Sequence, residues 1–431
     1  MITIARWYFC VAAAAVPAVF AITLNAPLAA TMPGSSGASA AASQRSTGHH
    51  AKKPQPAPPV ATAPVRKLPA RIPFTAADEA AAVVPGMPDA RFWADSVADF
   101  QNALPSQPGP WLILSSGGSD GAFGAGVLNG LSAAGNRPNY SVVTGVSTGA
   151  LMAPFAFLGS HYDDALRDAY TKISAADVFE IGATGESFVD SWPLKDLIAK
   201  QITPAILDAV AAEYKNGRRL FVVTTDIDAE RSVVWNMGAI AAHGGDAALN
   251  LFRTVLLASS SIPGGFPPVL IDVEANGKHF QEMHVDGGVG GQFFVAPAAL
   301  MSATSDYRLP ATQLHILIDS VLEPEFQVVE RSIPAILTQT VGAAVMVDTR
   351  LMIDRAYLAA KRSGVGFNIA TIPPSFDAPS RGPFDPDYMS ALFQVGYDLG
   401  KSANPFSTEP PPYPGRPIVP PHDSEKTGAS K

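Results

Sequence analysis

The stretch YSVVTGVSTGALMAPFAFLG, residues 140–159, decides the fold. Its first part, YSVVT (140–144), is a short apolar run that predicts a buried strand. From Ser147 onward the residues are apolar with the spacing of a helix, and Gly145 and Gly149 mark a sharp turn between the two. A strand that passes directly into a helix is typical of an α/β domain.

Further strands and helices alternate on both sides of this stretch. Buried strands are predicted for WLILSS (111–116), RLFVVTTDI (219–227) and QLHILID (313–319), with GVGFNIATI (364–372) as an edge strand. Helices are predicted from Gly121 and over 193–202, 246–260 and 332–362. This alternation predicts a three-layer α/β/α domain with a largely parallel central sheet.

The N-terminal residues 1–30 have the layout of a secretory signal. Arg6 is followed by an apolar run and a small-residue end, and a retained membrane anchor is the alternative. Cys10, the only cysteine, lies in this segment, so a mature chain would have no disulfide or cysteine site. We therefore expect an exported protein of the periplasm or cell envelope, or a secreted one.

Composition divides the rest of the chain. Residues 31–75 are rich in Ala, Ser and Pro, and residues 402–431 are rich in Pro, so both are predicted to be disordered. The basic residues of segment 31–75 are compatible with a solvated spacer or with a segment that lies on an anionic membrane surface. The folded domain is predicted over 76–401. The net charge of −8 argues against a nucleic-acid partner.

Two segments fit the G-x-S-x-G pattern of a serine nucleophile. One runs from Gly117 to Gly121 around Ser119, and the other is Gly145-Val146-Ser147-Thr148-Gly149. A serine hydroxyl needs a base and oxyanion donors, and the glycines let a strand and a helix pack closely around it. Both segments follow a predicted strand and precede a predicted helix, but only in the second does a sharp turn lead to an apolar helix that starts at the serine itself, so Ser147 is the predicted nucleophile.

The first segment belongs to LSSGGSDGAFGAGVLNG (114–130) and predicts a different role. Unobstructed amides at a helix N-terminus suit an anion, whether a phosphate, a dinucleotide pyrophosphate or an oxyanion. Gly124, Gly126 and Gly130 fall inside the predicted helix rather than at the turn, which disfavours a dinucleotide. Their spacing predicts a helix packed tightly on the sheet.

The residues leave the identity of the base open. Five histidines downstream of Ser147 would allow a Ser-Asp-His triad, namely His161, His243, His279, His284 and His315. In MHVDGGVGGQ (283–292), Asp286 opens a Gly287-Gly288 turn. It is either a carboxylate aimed into a cleft or an ordinary turn aspartate.

The order of these motifs resembles the patatin-like acyl hydrolases. The motifs are a glycine-rich loop followed by G-V-L, then G-x-S-x-G, then a distant D-G-G. LLASSSIPGGFPPV (256–269) and YTKISAADVFE (170–180) are also similar to segments of that family. The similarity covers Trp111 to Gly288 and is weaker up to Lys401. These lipases and phospholipases use a Ser-Asp dyad in an α/β/α fold.

The resemblance implies a role for each motif. Ser147 would attack a carboxylic ester of a lipid, Asp286 would act as the base, and water would hydrolyse the acyl-Ser147 intermediate without a metal or organic cofactor. The oxyanion hole would be formed by Gly117, Gly118, Ser119 and Thr148. Transient contact with a membrane surface is expected. The residues that either line an acyl channel or belong to the core are Leu151, Met152, Phe155 and Phe157.

Asp120 departs from the family, which has Arg or Lys at this position. Turned inward, its charge would oppose the negative charge of the reaction, so we expect it to cap the helix and face solvent. Ser116 in place of the first loop glycine is a milder change. Because of Asp120, a catalytically silent lipid-binding protein remains an alternative. The other alternative is a carboxylesterase with a Ser-Asp-His triad.

Overall fold

The computed structural model describes residues 69–182, 185–324 and 326–413. The predicted signal or anchor at 1–30, most of the linker and the end of the tail lie outside these residues. The predictions made for these segments therefore remain predictions.

The centre of the domain is a nine-stranded mixed sheet. The strands of the domain are β1 (Arg91–Trp93), β2 (Gly109–Leu114), β3 (Val142–Val146), β4 (Glu180–Ile181), β5 (Val189–Asp190), β6 (Arg219–Asp226), β7 (Arg231–Asn236), β8 (Val269–Ala275), β9 (Lys278–Asp286), β10 (Ala311–Ile318) and β11 (Gly366–Thr371).

Seven strands of the sheet follow the order β1-β7-β6-β3-β2-β10-β11, and the other two join it through β9, which pairs with both β6 and β8. The five strands from β6 to β11 in this order are parallel, whereas β7, β1, β9 and β8 pair with their neighbours in antiparallel fashion. Two short strands, β4 and β5, pair separately.

Helices cover both faces of this sheet. They are α1 (Ala76–Ala80), α2 (Val97–Ala103), α3 (Gly121–Ala133), α4 (Thr148–Leu158), α5 (Asp163–Thr171), α6 (Ala175–Val178), α7 (Trp192–Gln201), α8 (Pro204–Lys215), α9 (Met237–His243), α10 (Gly245–Ser259), α11 (Ala298–Met301), α12 (Ile333–Ser363) and α13 (Pro386–Lys401). Single 3₁₀ turns occur at Gly118–Asp120, Ser160–Tyr162 and Gly287–Val289.

Alternate residues of each central strand enter two separate cores. In β2, Leu112 and Leu114 join the core under α3, α4, α10 and α13, while Trp111 and Ile113 join the core under α2, α11 and α12. This follows from the two-residue repeat of a strand, which points successive side chains to opposite faces. The predicted three-layer α/β/α fold with a largely parallel sheet is confirmed.

The predicted strands and helices are present, with GVGFNIATI forming the edge strand β11. For two of the three glycines named in α3, Gly126 and Gly130, the predicted packing on the sheet is wrong. A Cβ on Gly126 would lie 2.1 Å from the Phe393 carbonyl oxygen, and one on Gly130 would lie 2.2 Å from that of Tyr397. Both face helix α13 rather than the sheet, because small residues let two helix backbones come close together.

Chain segments outside the predicted domain bounds also contact the domain. Ser407 and Ile369 exchange backbone hydrogen bonds of 2.9 Å, and the ring of Phe406 packs edge-on against His315. Arg71 forms an ion pair with Asp228. The bounds at residues 76 and 401 stay predictions.

Candidate active site

The site is built where two strands end head to head along one side of β6. The parallel strand β3 pairs with β6 up to Val146, which lies opposite Val223. The antiparallel strand β9 occupies the next positions of β6 and ends with Asp286 opposite Thr224. Strand β7 covers the other side of β6. The register therefore brings Asp286 next to Ser147, the residue that follows β3.

Ser147 lies in a strained turn between β3 and α4. Its φ of 56° is in the left-handed region, which non-glycine residues rarely adopt. A Cβ on Gly145 would lie 2.4 Å from the Gly149 carbonyl oxygen, and one on Gly149 would lie 2.6 Å from that of Leu114. Only glycine fits at these two positions, as the nucleophile-elbow pattern requires.

The hydroxyl of Ser147 donates a hydrogen bond of 2.6 Å to Asp286 Oδ2. The other oxygen of Asp286 accepts a 2.7 Å bond from the Gly288 amide, so both carboxylate oxygens are oriented. Asp286 is 1% exposed and Ser147 is 5% exposed. Burial raises the pKa of Asp286 to about 7, although the bonds from Ser147 and Gly288 oppose this. A carboxylate with such a pKa can accept and return a proton near neutral pH.

The backbone of Ser147 is also fixed from α10. Its amide donates a 3.0 Å hydrogen bond to Ser259 Oγ, and that hydroxyl donates a 2.7 Å bond to the Val223 carbonyl. Both groups are buried. Ser259 thereby holds the turn against β6. Ser259 belongs to the stretch LLASSSIPGGFPPV, whose local pattern does not indicate this role.

The glycine-rich loop lies beside this pair. Gly118, with a φ of 58°, begins the 3₁₀ turn that leads into α3, and it lines the same cavity as Ser147 and Thr148. The first amides of a helical turn have no acceptor within the turn. The glycine-rich loop packs closely against the residue that follows β10, since a Cβ on Gly117 would lie 2.6 Å from the Asp319 carbonyl oxygen.

Gln292 joins the loop to the turn that follows Asp286. Its side-chain carbonyl accepts a hydrogen bond from the Ser116 hydroxyl, and its Nε2 donates a 2.7 Å bond to the Gly288 carbonyl. Its backbone carbonyl accepts a 2.8 Å bond from the Ser116 amide. Gln292 is 6% exposed. Gln292 ends the stretch MHVDGGVGGQ, whose local pattern does not indicate these contacts.

A mostly apolar cavity of about 770 Å³, including the space open to solvent at its mouth, adjoins Ser147. Leu151 and Phe155 line it, together with residues of α5, α7 and α10. Met152 and Phe157 do not line the cavity and are buried in the core. Thr148 is held at the cavity wall by Tyr170, whose hydroxyl donates a 2.8 Å bond to the Thr148 carbonyl.

The five histidines are directed elsewhere, and none lines this cavity. His284 is buried, with Nδ1 3.0 Å from Thr224 Oγ1 and Nε2 3.2 Å from Glu282 Oε2. His315 is packed between aromatic rings, and burial lowers its pKa to about 4. His243 and His279 lie beside Asp89 and Glu274, and His161 lies in the turn after α4. The Ser147 hydroxyl has Asp286 as its acceptor.

The expectation that Asp120 caps the helix and faces solvent is wrong. Asp120 is 3% exposed and makes no side-chain capping bond. Tyr388 of α13 covers it and donates a 2.8 Å hydrogen bond to its Oδ1. Burial raises the pKa of Asp120 to about 7. Asp319, which accepts a 2.8 Å bond from the Gly124 amide, is also buried, and its pKa is well above the usual value for the same reason.

Asp226 of β6 and Glu282 and His284 of β9 form a cluster with the residue types of a metal site. Their potential ligand atoms lie within 4.8 Å of one another. Arg91, however, donates to both oxygens of Glu282, one of them at 2.6 Å. A buried guanidinium thus supplies positive charge where a metal ion would.

Residues 112–299 match the family model described as Patatin-like phospholipase. Among solved structures, the crystal structure of VipD from Legionella pneumophila is similar, with 12% identity and a TM-score of 0.36. The match covers 69% of this chain and 66% of that chain, just under two thirds of its length. A comparison with curated protein sequences gave no match.

Proposed function

Residues 112–299 are a patatin-like phospholipase domain, and from this premise we propose that the protein is a serine hydrolase of lipid carboxylic esters. The observation that carries the proposal is the 2.6 Å hydrogen bond from Ser147 Oγ to Asp286 Oδ2 beside an apolar cavity. The pair provides a nucleophile with its base, and the cavity provides room for an acyl chain.

The proposed reaction has two halves. Asp286 takes the proton of Ser147 as Oγ attacks the ester carbonyl carbon, and the tetrahedral intermediate collapses to acyl-Ser147 as Asp286 returns the proton to the leaving alcohol. Asp286 then deprotonates a water that attacks the acyl carbon, and the departing Ser147 oxygen regains the proton. A single carboxyl group serves as base and acid in each half.

The negative charge of each tetrahedral intermediate requires donors that are already in place. We assign this role to the amides of Gly117, Gly118 and Ser119, helped by Thr148. Gly118 and Thr148 line the cavity with Ser147, which supports the assignment. Loss of one such donor costs about 3 kcal/mol in the barrier.

We assign the protein to the phospholipase A or lysophospholipase type and propose that residues 1–30 direct its export. An acyl chain fits the apolar walls formed by Leu151 and Phe155. The position of Asp120 agrees with activity, because its carboxyl group is covered by Tyr388, whose hydroxyl donates a 2.8 Å hydrogen bond to Asp120 Oδ1.

A fluorophosphonate probe tests the proposal directly. It should label the wild-type chain and not Ser147→Ala, and the same change should abolish hydrolysis of a soluble short-chain ester. Single changes of His284 and His315 to Gln should leave the serine reactive in any folded protein. Full activity in Ser147→Ala would overturn the assignment. A wild-type chain that is neither labelled nor active on any ester would indicate the silent lipid-binding protein.

A further inference from the structure

The helix α12 extends far beyond the sheet on which it packs. Its end lies at the amino ends of the strands, where the Leu309 amide donates a 2.9 Å hydrogen bond to Ser363 Oγ. Arg350 Nε donates a 2.7 Å bond to the carbonyl of Leu322, which follows the carboxyl end of β10. Residues 333–349 therefore run past the carboxyl edge of the sheet, over about 25 Å at 1.5 Å per residue.

This is the edge that carries the candidate active site. Ser147 follows the carboxyl end of β3, and Asp286 is the last residue of β9. Met352 of α12 lies against the chain that follows Asp286, since a Cβ on Gly291 would be 3.2 Å from its Cε. The projecting part of α12 thus begins beside the catalytic turn and rises away from it.

The exposed face of α12 changes character along its length. Up to residue 347 the exposed positions follow helical spacing and carry no charge: they are Ile333, Ile336, Leu337, Thr340, Ala343, Ala344 and Val347. Beyond that point the same stripe continues with Asp348, Leu351, Arg355, Leu358 and Lys361. A water-facing stripe is normally polar or charged, as it is in the second half. The uncharged stripe of the first half of α12 is instead suited to an apolar environment.

The segment before the helix extends this apolar surface. Phe326 is 92% exposed and Val328 is 86% exposed. The residue between them, Gln327, donates a hydrogen bond to the side chain of Gln339, which ties the segment to the side of α12. Contiguous exposed apolar surface of this kind marks an interaction site.

We propose that residues 326–347, which we call the docking segment, insert into the surface of a lipid bilayer and hold the active-site edge against it. The proposal rests on the proposed function, because a hydrolase of membrane lipids must reach its substrate at a bilayer. The segment lies on the catalytic edge; its only charged side chains, Glu330 and Arg331, precede α12, and from residue 332 to residue 347 it has none. Its chemistry matches hydrocarbon and lipid headgroups.

The docking segment dips into the bilayer and does not cross it. By length and composition, Ala335–Ser363 is long and apolar enough to span a membrane. Its second half, however, is fixed in the protein core through Ile353, Ala356 and Ala359. The free part, about 25 Å long, is shorter than a hydrocarbon core of about 30 Å.

A local fluorescent reporter tests the docking without depending on catalysis. Ile336→Cys and, separately, Leu358→Cys are introduced into the full chain carrying Ser147→Ala and Cys10→Ser, and each is labelled with the environment-sensitive dye NBD. Ile336 and Leu358 are each 50% exposed on the same helix, but Leu358 lies at the opposite end, beside the core. Because the reading is local, insertion of residues 1–30 into lipid does not affect it.

On addition of phosphatidylcholine vesicles, NBD at position 336 should brighten at least threefold and be quenched by spin-labelled acyl chains. NBD at position 358 should change little. An equal response at the two positions, or none at 336, would overturn the proposal. Brightening at 336 with protein concentration alone, without lipid, would also overturn it and would identify the surface as a contact between two copies of the chain.

A second measurement uses the active enzyme. Ile336→Glu/Leu337→Glu should lower the ratio of vesicle to soluble-ester hydrolysis at least tenfold, whereas Leu358→Glu should leave the ratio within twofold. An unchanged ratio in the double variant would contradict the docking. If the wild type hydrolyses no ester, the proposed function fails, and the NBD response still decides whether the segment docks.

Discussion

Ser147 and Asp286 are brought together by successive positions of one strand, since Val146 pairs with Val223 of β6 and Asp286 pairs with the next residue, Thr224. The 2.6 Å hydrogen bond between them is therefore set by the register of the sheet, not by a long loop. The proposed nucleophile and base, held in this way, would be oriented before substrate arrives, which would lower the cost of reaching the reactive geometry.

The pH dependence of catalysis follows from the environment of Asp286. Burial raises its pKa to about 7, and only the ionised form can act as base. In the wild type, kcat/KM for a soluble ester should rise with pH up to about 7 and then level off. Asp286→Asn should lower kcat/KM by about 10² to 10⁴ and remove this limb. Asp272→Asn, at the exposed position of strand β8, is the control. A wild-type profile that is flat from pH 5 to 9 would contradict the role of Asp286.

Asp120 should make the fold less stable as the pH rises. Burial raises its folded pKa from 3.8 to about 7, so its contribution to stability is fully present below pH 4 and is lost as the pH rises through about 7. This corresponds to at most about 4 kcal/mol. Asp120→Asn cannot ionise, so its melting temperature should exceed that of the wild type at pH 8 and approach it at pH 4. Thermal melts at both values test this, with Asp398→Asn on α13 as the control. Parallel melting-temperature curves for Asp120→Asn and the wild type would refute it.

Gln292 contacts Ser116 and Gly288 rather than the proposed nucleophile and base, so its expected role is to position the loop and the turn around them. Gln292→Ala should release the glycine-rich loop from the turn after Asp286 and lower kcat about tenfold with little change in KM. Gln292→Glu keeps an acceptor for Ser116 but loses the donor to Gly288, so its kcat should be intermediate. Gln281→Ala, at a half-buried position of β9, serves as the control. A rise in KM alone would show that Gln292 serves substrate binding.

The sequence predicted the parallel part of the sheet because each of those strands is a continuous apolar run between turn residues. It did not predict β9, whose inward-facing positions include the charged Glu282 and the polar His284. These residues are compensated by Arg91 and Thr224, which lie far away in the chain. Without β9, the residues alone could not distinguish Asp286 from a turn aspartate, and only the family resemblance assigned its role.

Asp120 shows the same limit at a single residue. An aspartate before a helix normally caps it and faces water. Here Tyr388, 268 residues later, covers the carboxyl group and supplies its hydrogen bond. Burial that depends on such a distant residue leaves no local pattern. The elbow at Ser147 was predictable because its strand, glycines and helix are contiguous.

The contact of α3 with α13 depends on glycine at both surfaces. A Cβ on Gly126 would meet the Phe393 carbonyl oxygen at 2.1 Å, so the two helix backbones would have to separate. Gly126→Ala should destabilise the protein by about 1–3 kcal/mol, despite the better helix propensity of alanine. Urea denaturation measures this against Gly182→Ala, where nothing lies within 4 Å of the added Cβ. Equal midpoints for the two variants would show that the helices can move apart freely.

The cavity beside Ser147 should set the length of acyl chain that the enzyme accepts. Leu151 lines it from α4, whereas Leu158, two turns later on the same helix, does not. Leu151→Trp should fill part of the cavity and lower kcat/KM for long-chain esters at least tenfold relative to short-chain esters. Leu158→Trp introduces the same side chain outside the cavity and should leave this ratio within twofold. The measurement is a series of p-nitrophenyl esters from C4 to C16, with labelling by a small fluorophosphonate confirming an intact Ser147 in each variant. If Leu151→Trp is labelled normally and keeps its preference for chain length, the acyl chain lies elsewhere.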